Sequence, residues 1–344
     1  CWVKRVTGRR CFIGTLAVSE SNTLGQVVAF GGGHGLFATL RAARALLDTD
    51  AITNLTAVVG VSDDGGSSGR IRKAFDVAPP GDLRMAITAL LPNGPMGDRI
   101  GAVLQHRFPS GESESGLEGH VVGNVLLTAL WNEGASTQQG LDLLGSFFGV
   151  RGRVLPCSAE AIDIGAEIVG IDPHDPISTR EVCGQVAIAT TSGRVAKVWI
   201  EPSDPQASLE AIEAINQAEI LIFGPGSWFT SVVPPLLVPG IRTAVVRSSA
   251  RRILIMNLSE QIGETTGFTS ADYARSWLAL FPDISLDGII FDLDQNEGAG
   301  QCEQAAQSLG AKSFRMKVAF HTATHDPDKL ADALRFVAQE LGSK

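Results

Sequence analysis

Two adjacent carboxylates, Asp63 and Asp64, follow an apolar run in the stretch VGVSDDGGSSGRIR. Gly65, Gly66 and Gly69 allow left-handed backbone, so that successive N–H groups can form a nest around an anion. Side-chain donors for the same anion are Ser67, Ser68, Arg70 and Arg72. Because carboxylates repel a phosphate unless a cation lies between them, Mg²⁺ is a candidate cofactor at the two aspartates. The alternatives are an aspartate that binds a sugar hydroxyl or acts as a general base, and a solvated turn without a ligand.

A second candidate site is the sequence GGGHG, which follows the apolar run QVVAF and precedes a helical pattern. Glycines at such a place let the chain turn sharply and let N–H groups approach an anion at the helix N-terminus. The spacing is neither that of the dinucleotide fingerprint nor that of a Walker A loop, so NAD is not expected as a cofactor. The alternative is a tight turn without a ligand. The candidate phosphate-binding residues are Gly31, Gly32, Gly33, His34 and Gly35.

Three further segments carry polar residues at predicted strand ends or helix starts. In GDLR, Asp82 and Arg84 are candidate nucleotide- or phosphate-binding residues; the alternative is that Asp82 is a helix N-cap and Arg84 is merely exposed. In GHVVGNVLL, His120 and Asn124 are predicted to share one face of an apolar helix, where the Asn124 amide needs a polar partner. The strand EILIF ends in a second glycine loop, in which Ser227 can N-cap a helix that begins there. The candidate contacts in this loop are Gly224, Pro225, Gly226, Ser227 and Thr230.

The elements that must position these residues alternate between strands and helices. QVVAF, LTAVVGV, EILIF, TAVVR, RILIMNL and LDGIIFDL are apolar runs typical of buried parallel strands. RGRVLP, QVAIATT and RVAKVWIEP are predicted to form a small antiparallel insertion at about 151–201. We therefore predict an α/β fold, a Rossmann-like doubly wound and mostly parallel sheet, as one domain over 26–344. Residues 1–25 are predicted to be a leading extension.

The composition excludes several classes of protein. The chain has 344 residues, of which 44% are hydrophobic and 19% charged, as in a globular domain. A net charge of −9 argues against a nucleic-acid partner. The five cysteines are widely spaced and show no C-x-x-C pair, so neither a disulfide framework nor a zinc site is expected. No apolar run is long enough to span a bilayer, and we expect a cytoplasmic protein that forms a homo-oligomer.

Six segments together resemble the YvcK family of gluconeogenesis factors and, more distantly, the CofD-like 2-phospho-L-lactate transferases. They are AFGGGHGL, VSDDGGSSGRIR, GDLRMAI, GHVVGNVLL, FGPGSWFTSVVPPLLVPGI and MNLSEQIGET, which cover most of Val27 to Gly267 in order. The DDGGSSGR form is closer to YvcK than to the transferases. The resemblance implies a Rossmann-like core that binds a UDP-sugar such as UDP-N-acetylglucosamine. It also implies a role in cell shape and wall synthesis during growth on gluconeogenic carbon.

The resemblance also implies roles for individual residues. The two glycine loops would border the nucleotide, Asp63 or Asp64 would occupy the metal-linked position, and Asn124 would line the pocket. His34 stands where many relatives are expected to have threonine, so a hydroxyl contact there is lost or is made by the imidazole. The transferase branch implies Mg²⁺-dependent transfer of a phospholactyl group from a guanosine nucleotide to a deazaflavin.

Three functions are compatible with these patterns. We favour a nucleotide-sugar-binding regulator without turnover. The alternative is a Mg²⁺-dependent transferase that uses a nucleotide diphosphate donor. Its flat deazaflavin acceptor would need an aromatic pocket, whereas only 6% of the residues are aromatic and the chain has one tyrosine. An NAD(P)-dependent oxidoreductase is disfavoured because the fingerprint spacing fails.

Overall fold

The computed structural model describes residues 23–109, 116–294, 297–321 and 323–342, so most of the predicted leading extension lies outside the described residues. The described strands are β1 (Gln26–Gly31), β2 (Asn54–Val59), β3 (Arg153–Pro156), β4 (Asp163–Val169), β5 (Thr179–Cys183), β6 (Arg194–Glu201), β7 (Ile220–Phe223), β8 (Arg251–Ile255), β9 (Gly288–Asp292), β10 (Lys312–Met316), β11 (Ala319–His321) and β12 (Thr324–His325).

The described helices lie between and around these strands. They are α1 (Gly33–Asp48), α2 (Gly66–Phe75), α3 (Pro80–Ala89), α4 (Pro95–Gln105), α5 (Val122–Asn132), α6 (Thr137–Phe148), α7 (Gln185–Ala189), α8 (Leu209–Gln217), α9 (Pro234–Leu237), α10 (Pro239–Arg247), α11 (Ser270–Leu280), α12 (Ala299–Ser308) and α13 (Pro327–Leu341). A π-helical turn (Trp228–Val232) precedes α9.

Seven strands form one parallel sheet in the order β10-β9-β8-β7-β1-β2-β3. The chain winds outward from β1 to β3, then returns to β7 and winds outward in the other direction to β10. The strand order therefore reverses between β1 and β7. In open α/β sheets ligands bind outside the carboxyl ends of the strands at such a reversal. The predicted Rossmann-like, doubly wound α/β fold is confirmed.

Apolar strands buried on both faces hold this sheet together. β1, β7 and β9 are almost entirely buried, as expected for parallel strands with helices on both sides. Phe30 of β1 stacks on Phe223 of β7 with ring centroids 5.2 Å apart, so the reversal point has a rigid floor. Trp277 of α11 packs against Phe223, with ring centroids 5.4 Å apart.

The small antiparallel sheet consists of β4, β5 and β6 in the order β5-β4-β6. This sheet confirms that the chain contains a small antiparallel β insertion, although not all of its predicted strands belong to it. β5 lies at its edge and is largely exposed. The short helix α7 comes directly after β5 and brings the insertion to the carboxyl edge of the large sheet.

Three predicted elements are wrong. RGRVLP forms β3, which pairs with β2 in the large parallel sheet rather than with the insertion. QVAIATT begins with a helix, α7, and TAVVR is the second half of α10. Short apolar runs do not distinguish a strand from a buried helical segment. Pro239 at the first turn of α10 favours the helix over the predicted strand.

Candidate functional site

The two glycine loops meet at the reversal point of the sheet. We call residues 31–35 the β1 loop and residues 224–227 the β7 loop. A Cβ atom at Gly35 would overlap the carbonyl of Pro225, and a Cβ atom at Gly226 would lie 3.7 Å from the carbonyl oxygen of Gly32. Glycine therefore allows the two backbones to touch. The contact places the N-terminus of α1 beside the second loop, which is the arrangement that binds anions in doubly wound folds.

Asn257, which lies just after β8, fixes the shape of the β7 loop. Its Oδ1 accepts a hydrogen bond from the Gly226 N–H and its Nδ2 donates to the Gly226 carbonyl, both at 2.9 Å. Gly226 has φ +139°, a conformation that side-chain-bearing residues rarely adopt. From α1, the Thr39 hydroxyl lies 3.2 Å from the carbonyl oxygens of Gly35 and Gly224. The two loops are therefore tied together before any ligand binds.

Asp63 and Asp82 form a carboxylate pair beside the β1 loop. The Asp63 Oδ1 accepts a hydrogen bond from the Gly65 N–H at 2.9 Å, and its Oδ2 occupies the space that a Cβ atom at Gly81 would need. Asp82 accepts a hydrogen bond from the Gly33 N–H. Burial and the neighbouring Asp63 carboxylate raise the pKa of Asp82 to about 7. The alternative that Asp82 caps α3 is wrong, because the cap position is occupied by a proline and Asp82 lies in the first helical turn.

The carboxylate pair is a candidate ligand set for a Mg²⁺ ion. Among the described residues no group of three or more His, Cys, Asp and Glu side chains is arranged to hold a metal. Mg²⁺ commonly takes only one or two protein carboxylates and completes its octahedron with water and phosphate oxygens. A cation between Asp63 and Asp82 would also relieve the repulsion that raises the pKa of Asp82.

Asp64 turns away from this pair and contacts the insertion. Its Oδ1 accepts a hydrogen bond from the backbone N–H of Val186 at 3.0 Å, at the start of α7. Its Oδ2 lies against Gly184, where a Cβ atom would overlap it. The side chain of Val186 in turn approaches Gly65. Asp64 therefore links the loop after β2 to α7, and nothing in the sequence around it indicated this contact.

A buried hydrogen-bond chain lies behind Ser67. Arg84 Nε donates to Asn124 Oδ1 at 3.0 Å, and Asn124 Nδ2 donates to Ser67 Oγ at 3.1 Å. Ser67 Oγ also accepts from the Val121 N–H at 3.3 Å and lies 3.1 Å from His120 Nδ1. Burial lowers the pKa of Arg84 to about 10. The polar partner expected for Asn124 is found, but His120 precedes α5 rather than sharing its face.

The predicted backbone nest is only partly present. Gly66 has φ +45°, whereas Gly65 has φ −88° and Gly69 lies inside α2. A Cβ atom at Gly69 would overlap the carbonyl of Asp64, so this glycine serves close packing. Ser68 is buried, with its hydroxyl against Gly81. The nest prediction is therefore wrong for two of its three glycines.

Two other predicted ligand contacts form hydrogen bonds within the protein. The Thr230 hydroxyl and the Phe229 N–H both bind the buried carboxylate of Glu264, and burial raises the pKa of Glu264. Ser227 makes no capping hydrogen bond and instead accepts one from Gln261 Nε2 at 3.2 Å. Ser227 occupies the predicted N-cap position of the π-helical turn, but its side chain forms no capping hydrogen bond. Glu264 and Gln261 therefore support the β7 loop from behind.

Two more predicted donors differ from their expected roles. Arg72 forms a salt bridge with Asp163 at 2.8 Å and donates to the Ile162 carbonyl at 3.2 Å. It therefore anchors the insertion. His34 is exposed at the start of α1. Arg70 stays near the site, where it donates to the carbonyl of Glu118 at 2.7 Å.

A cavity of about 860 Å³ lies at the opposite edge of the sheet, lined by residues that precede β1, β7 and β8, among them Leu24, Asn216 and Ser249. The amino ends of β1, β7 and β8 therefore border this cavity. Because ligands of doubly wound sheets bind at the carboxyl ends, we place the candidate site at the two glycine loops instead.

Comparison with known proteins gives the class of this protein. A family model described as "2-phospho-L-lactate transferase CofD" matches residues 27–322, so the chain belongs to the CofD family. It is 44% identical over 322 residues to the "Putative gluconeogenesis factor" of Mycobacterium tuberculosis, covering 92% of each chain. It is 38% identical over 251 residues to the "Gluconeogenesis factor" of Halalkalibacterium halodurans, covering 73% of this chain and 72% of that one.

A solved structure agrees with this assignment. The crystal structure of a UPF0052 family protein from Bacillus halodurans superimposes with a TM-score of 0.77 at 32% identity, covering 90% of this chain and 98% of that chain. The resemblance predicted from the sequence is confirmed. None of the helices in the described part of the chain is long and apolar enough to cross a membrane.

Proposed function

We propose that this chain binds a nucleotide sugar of the UDP-N-acetylglucosamine type at the β1 and β7 loops and acts as a regulator without turnover. The observation that carries the proposal is the direct contact of two glycine loops at the reversal point of the sheet. The glycine backbone of the two loops and the N-terminus of α1 suit a diphosphate there. The family assignment and the named relatives support a role as a gluconeogenesis factor.

In this proposal Asp63 and Asp82 would hold a Mg²⁺ ion beside the diphosphate. The carboxylates lie beside the β1 loop, since Asp82 accepts a hydrogen bond from Gly33. When bound, Mg²⁺ would neutralise the repulsion between carboxylates and phosphate. Asn257 fixes the shape of the β7 loop by hydrogen-bonding both the N–H and the carbonyl of Gly226.

We further propose that the protein acts in the cytoplasm as a homo-oligomer and that its ligand-bound state supports cell shape and cell-wall synthesis during gluconeogenic growth. This part of the proposal rests on the resemblance to the gluconeogenesis factors. The acidic pair and the glycine loops can bind a nucleotide without catalysing a reaction, and we therefore propose a regulatory role.

A second candidate function is a Mg²⁺-dependent transferase of the 2-phospho-L-lactate type. The observation that favours it is the Asp63–Asp82 pair, in which Asp82 has a pKa of about 7. A carboxylate with a pKa near neutrality suits a general base that takes a proton from an acceptor hydroxyl. The metal would then stabilise the leaving phosphate.

A thermal-shift titration tests the first function. UDP-N-acetylglucosamine with Mg²⁺ should raise the Tm, while NAD at the same concentration should not. Asn257→Ala removes two hydrogen bonds to Gly226 and should weaken binding by roughly tenfold or more, at about 1 kcal/mol for each bond. Asn216→Ala, at the opposite edge of the sheet, is the matched control and should bind as the wild type does. Equal shifts with NAD and UDP-N-acetylglucosamine would reject a nucleotide-sugar site.

A further inference from the structure

Three side-chain donors converge beside the start of α2. Arg107 Nη1 donates to the carbonyl of Gly119 at 2.6 Å, and Arg70 Nη2 donates to the preceding carbonyl at 2.7 Å. A Cβ atom at Gly119 would lie 3.0 Å from Arg70 Nη2, and one at Gly66 would lie 3.9 Å from Arg107 Nη1. The two guanidinium groups thus share one short turn, and glycine backbone leaves the space beside them open. The third donor is His120.

The hydrogen-bond chain behind Ser67 determines which nitrogen of His120 carries the proton. Asn124 is oriented by Arg84, so its Nδ2 donates to Ser67 Oγ, and the Val121 N–H donates to the same oxygen. Because Ser67 Oγ accepts two hydrogen bonds, its own proton goes to His120 Nδ1. In the neutral ring the Nε2 atom is then the N–H donor, and it has no partner among the described residues.

The cluster concentrates positive charge in one place. Within the described residues neither Arg70 nor Arg107 forms a salt bridge. Burial and the two guanidinium groups lower the pKa of His120 against the opposing effect of Glu118, and Arg107 also contributes to the lowered pKa of Arg84. These cationic groups repel one another in a protein of net charge −9. An anion bound between them would relieve that repulsion.

We propose that Arg70, Arg107 and the Nε2–H of His120 form a second anion subsite, which takes a phosphoryl group. Arg70 and Arg107 carry only donors, His120 offers its Nε2–H, and two positive charges match a phosphate dianion. Ser68 and Asp63 both lie against Gly81. The neighbouring Ser67 contacts His120 instead. The carboxylate pair therefore lies between the subsite and the glycine loops.

This inference deepens the proposed function and rests on it, because it adds a requirement to the ligand of the same site. The diphosphate of the ligand would occupy the β1 and β7 loops. A further phosphoryl group would lie on the other side of Asp63 and Asp82, either as part of the same ligand or on a second molecule bound beside it. Arg107 was not among the predicted contacts, and His120 was predicted only as a neighbour of Asn124. These two side chains lie beside Arg70 only because the turn at Gly119 brings distant segments of the chain together.

Arginine footprinting with phenylglyoxal tests the subsite without any nucleotide. In the intact protein Arg70 and Arg107 should react in the absence of anions, and orthophosphate should slow both reactions several-fold, as read by peptide mass spectrometry. Arg247, exposed at the end of α10, is the matched control and should react at an unchanged rate. Succinate, a dicarboxylate, should protect Arg70 and Arg107 less than orthophosphate does.

Several outcomes would overturn the proposal. They are equal protection of Arg247, no reaction of Arg70 and Arg107 without anions, and stronger protection by succinate than by orthophosphate. His120→Gln keeps an amide donor near the Nε2 position and should retain the protection, whereas His120→Leu should lose it; loss in both would remove the donor role of His120. Protection that persists in Asn257→Ala separates this subsite from the nucleotide site, so that each can fail independently.

Discussion

The carboxylate pair of the candidate site comes from two segments of the chain. Asp63 lies in the loop after β2, and Asp82 lies in the first turn of α3. The sequence suggested instead that the neighbours Asp63 and Asp64 act together. Adjacent residues after a strand commonly point in different directions, and here Asp64 contacts the N–H of Val186. We therefore propose Asp63 and Asp82, rather than Asp63 and Asp64, as the pair that would hold a metal ion.

The raised pKa of Asp82 predicts a pH-dependent stability. An acid whose pKa is raised from 3.8 to about 7 in the folded protein contributes stability that is complete below 3.8 and is lost as the pH rises through about 7. Asp82→Asn removes this dependence and should gain roughly 1–3 kcal/mol relative to the wild type across that interval, after allowance for the part of the carboxylate that faces water.

Denaturant unfolding at a series of pH values in EDTA measures this difference. The matched control is Asp204→Asn, which changes an exposed aspartate in the turn after β6. Its free energy of unfolding should differ from that of the wild type by the same amount at every pH. Stability curves of Asp82→Asn and wild type that stay parallel from acid to neutral pH would show that Asp82 titrates normally.

At the scale of elements, the antiparallel insertion reaches the carboxyl edge of the large sheet through α7. Asp64 accepts a hydrogen bond from the start of α7, and Gln185 Nε2 donates to the Thr230 carbonyl at 3.5 Å. Arg72 pairs with Asp163 at the start of β4. The insertion is thus fastened to the loop after β2, to α2 and to the π-helical turn after β7, which are the elements that border the site.

Removing the Asp64 carboxylate should loosen α7. Asp64→Ala leaves the Val186 N–H without its acceptor, so amide hydrogen exchange over residues 184–190 should rise several-fold while exchange in β1 and β7 stays unchanged. The matched control Asp204→Ala should leave both regions as in the wild type. Unchanged exchange over 184–190 in Asp64→Ala would mean that α7 is held by other contacts.

The sequence predicted the elements that are apolar throughout and end in glycine. Runs such as QVVAF and EILIF are apolar throughout, and glycines mark their ends, so both the parallel strands and the two loops could be located. The sequence could not predict where side chains turn after those strands. Asp64 and Arg72 bind the insertion, and Thr230 binds Glu264, because segments far apart in sequence supply partners there.

At the scale of the whole molecule, the winding of the sheet explains why the polar clusters meet. β1 and β7 are neighbours although they are distant in sequence, as in the hydrogen bond from Thr39 to Gly224 with a separation of 185. Parallel strands bring their carboxyl ends to one edge, and ligands of doubly wound sheets bind at the reversal of strand order, which here lies between β1 and β7. The same winding places the cavity of about 860 Å³ at the other edge.

The most direct measurement of the central claim is a hydrogen-exchange footprint of UDP-N-acetylglucosamine with Mg²⁺ on the wild-type protein. We predict slower exchange in the β1 loop, the β7 loop and the start of α2, with no change in residues 216–220 and 249–251 at the opposite edge. Slower exchange confined to the opposite edge, or no change at saturating ligand, would contradict a nucleotide-sugar site between the two glycine loops.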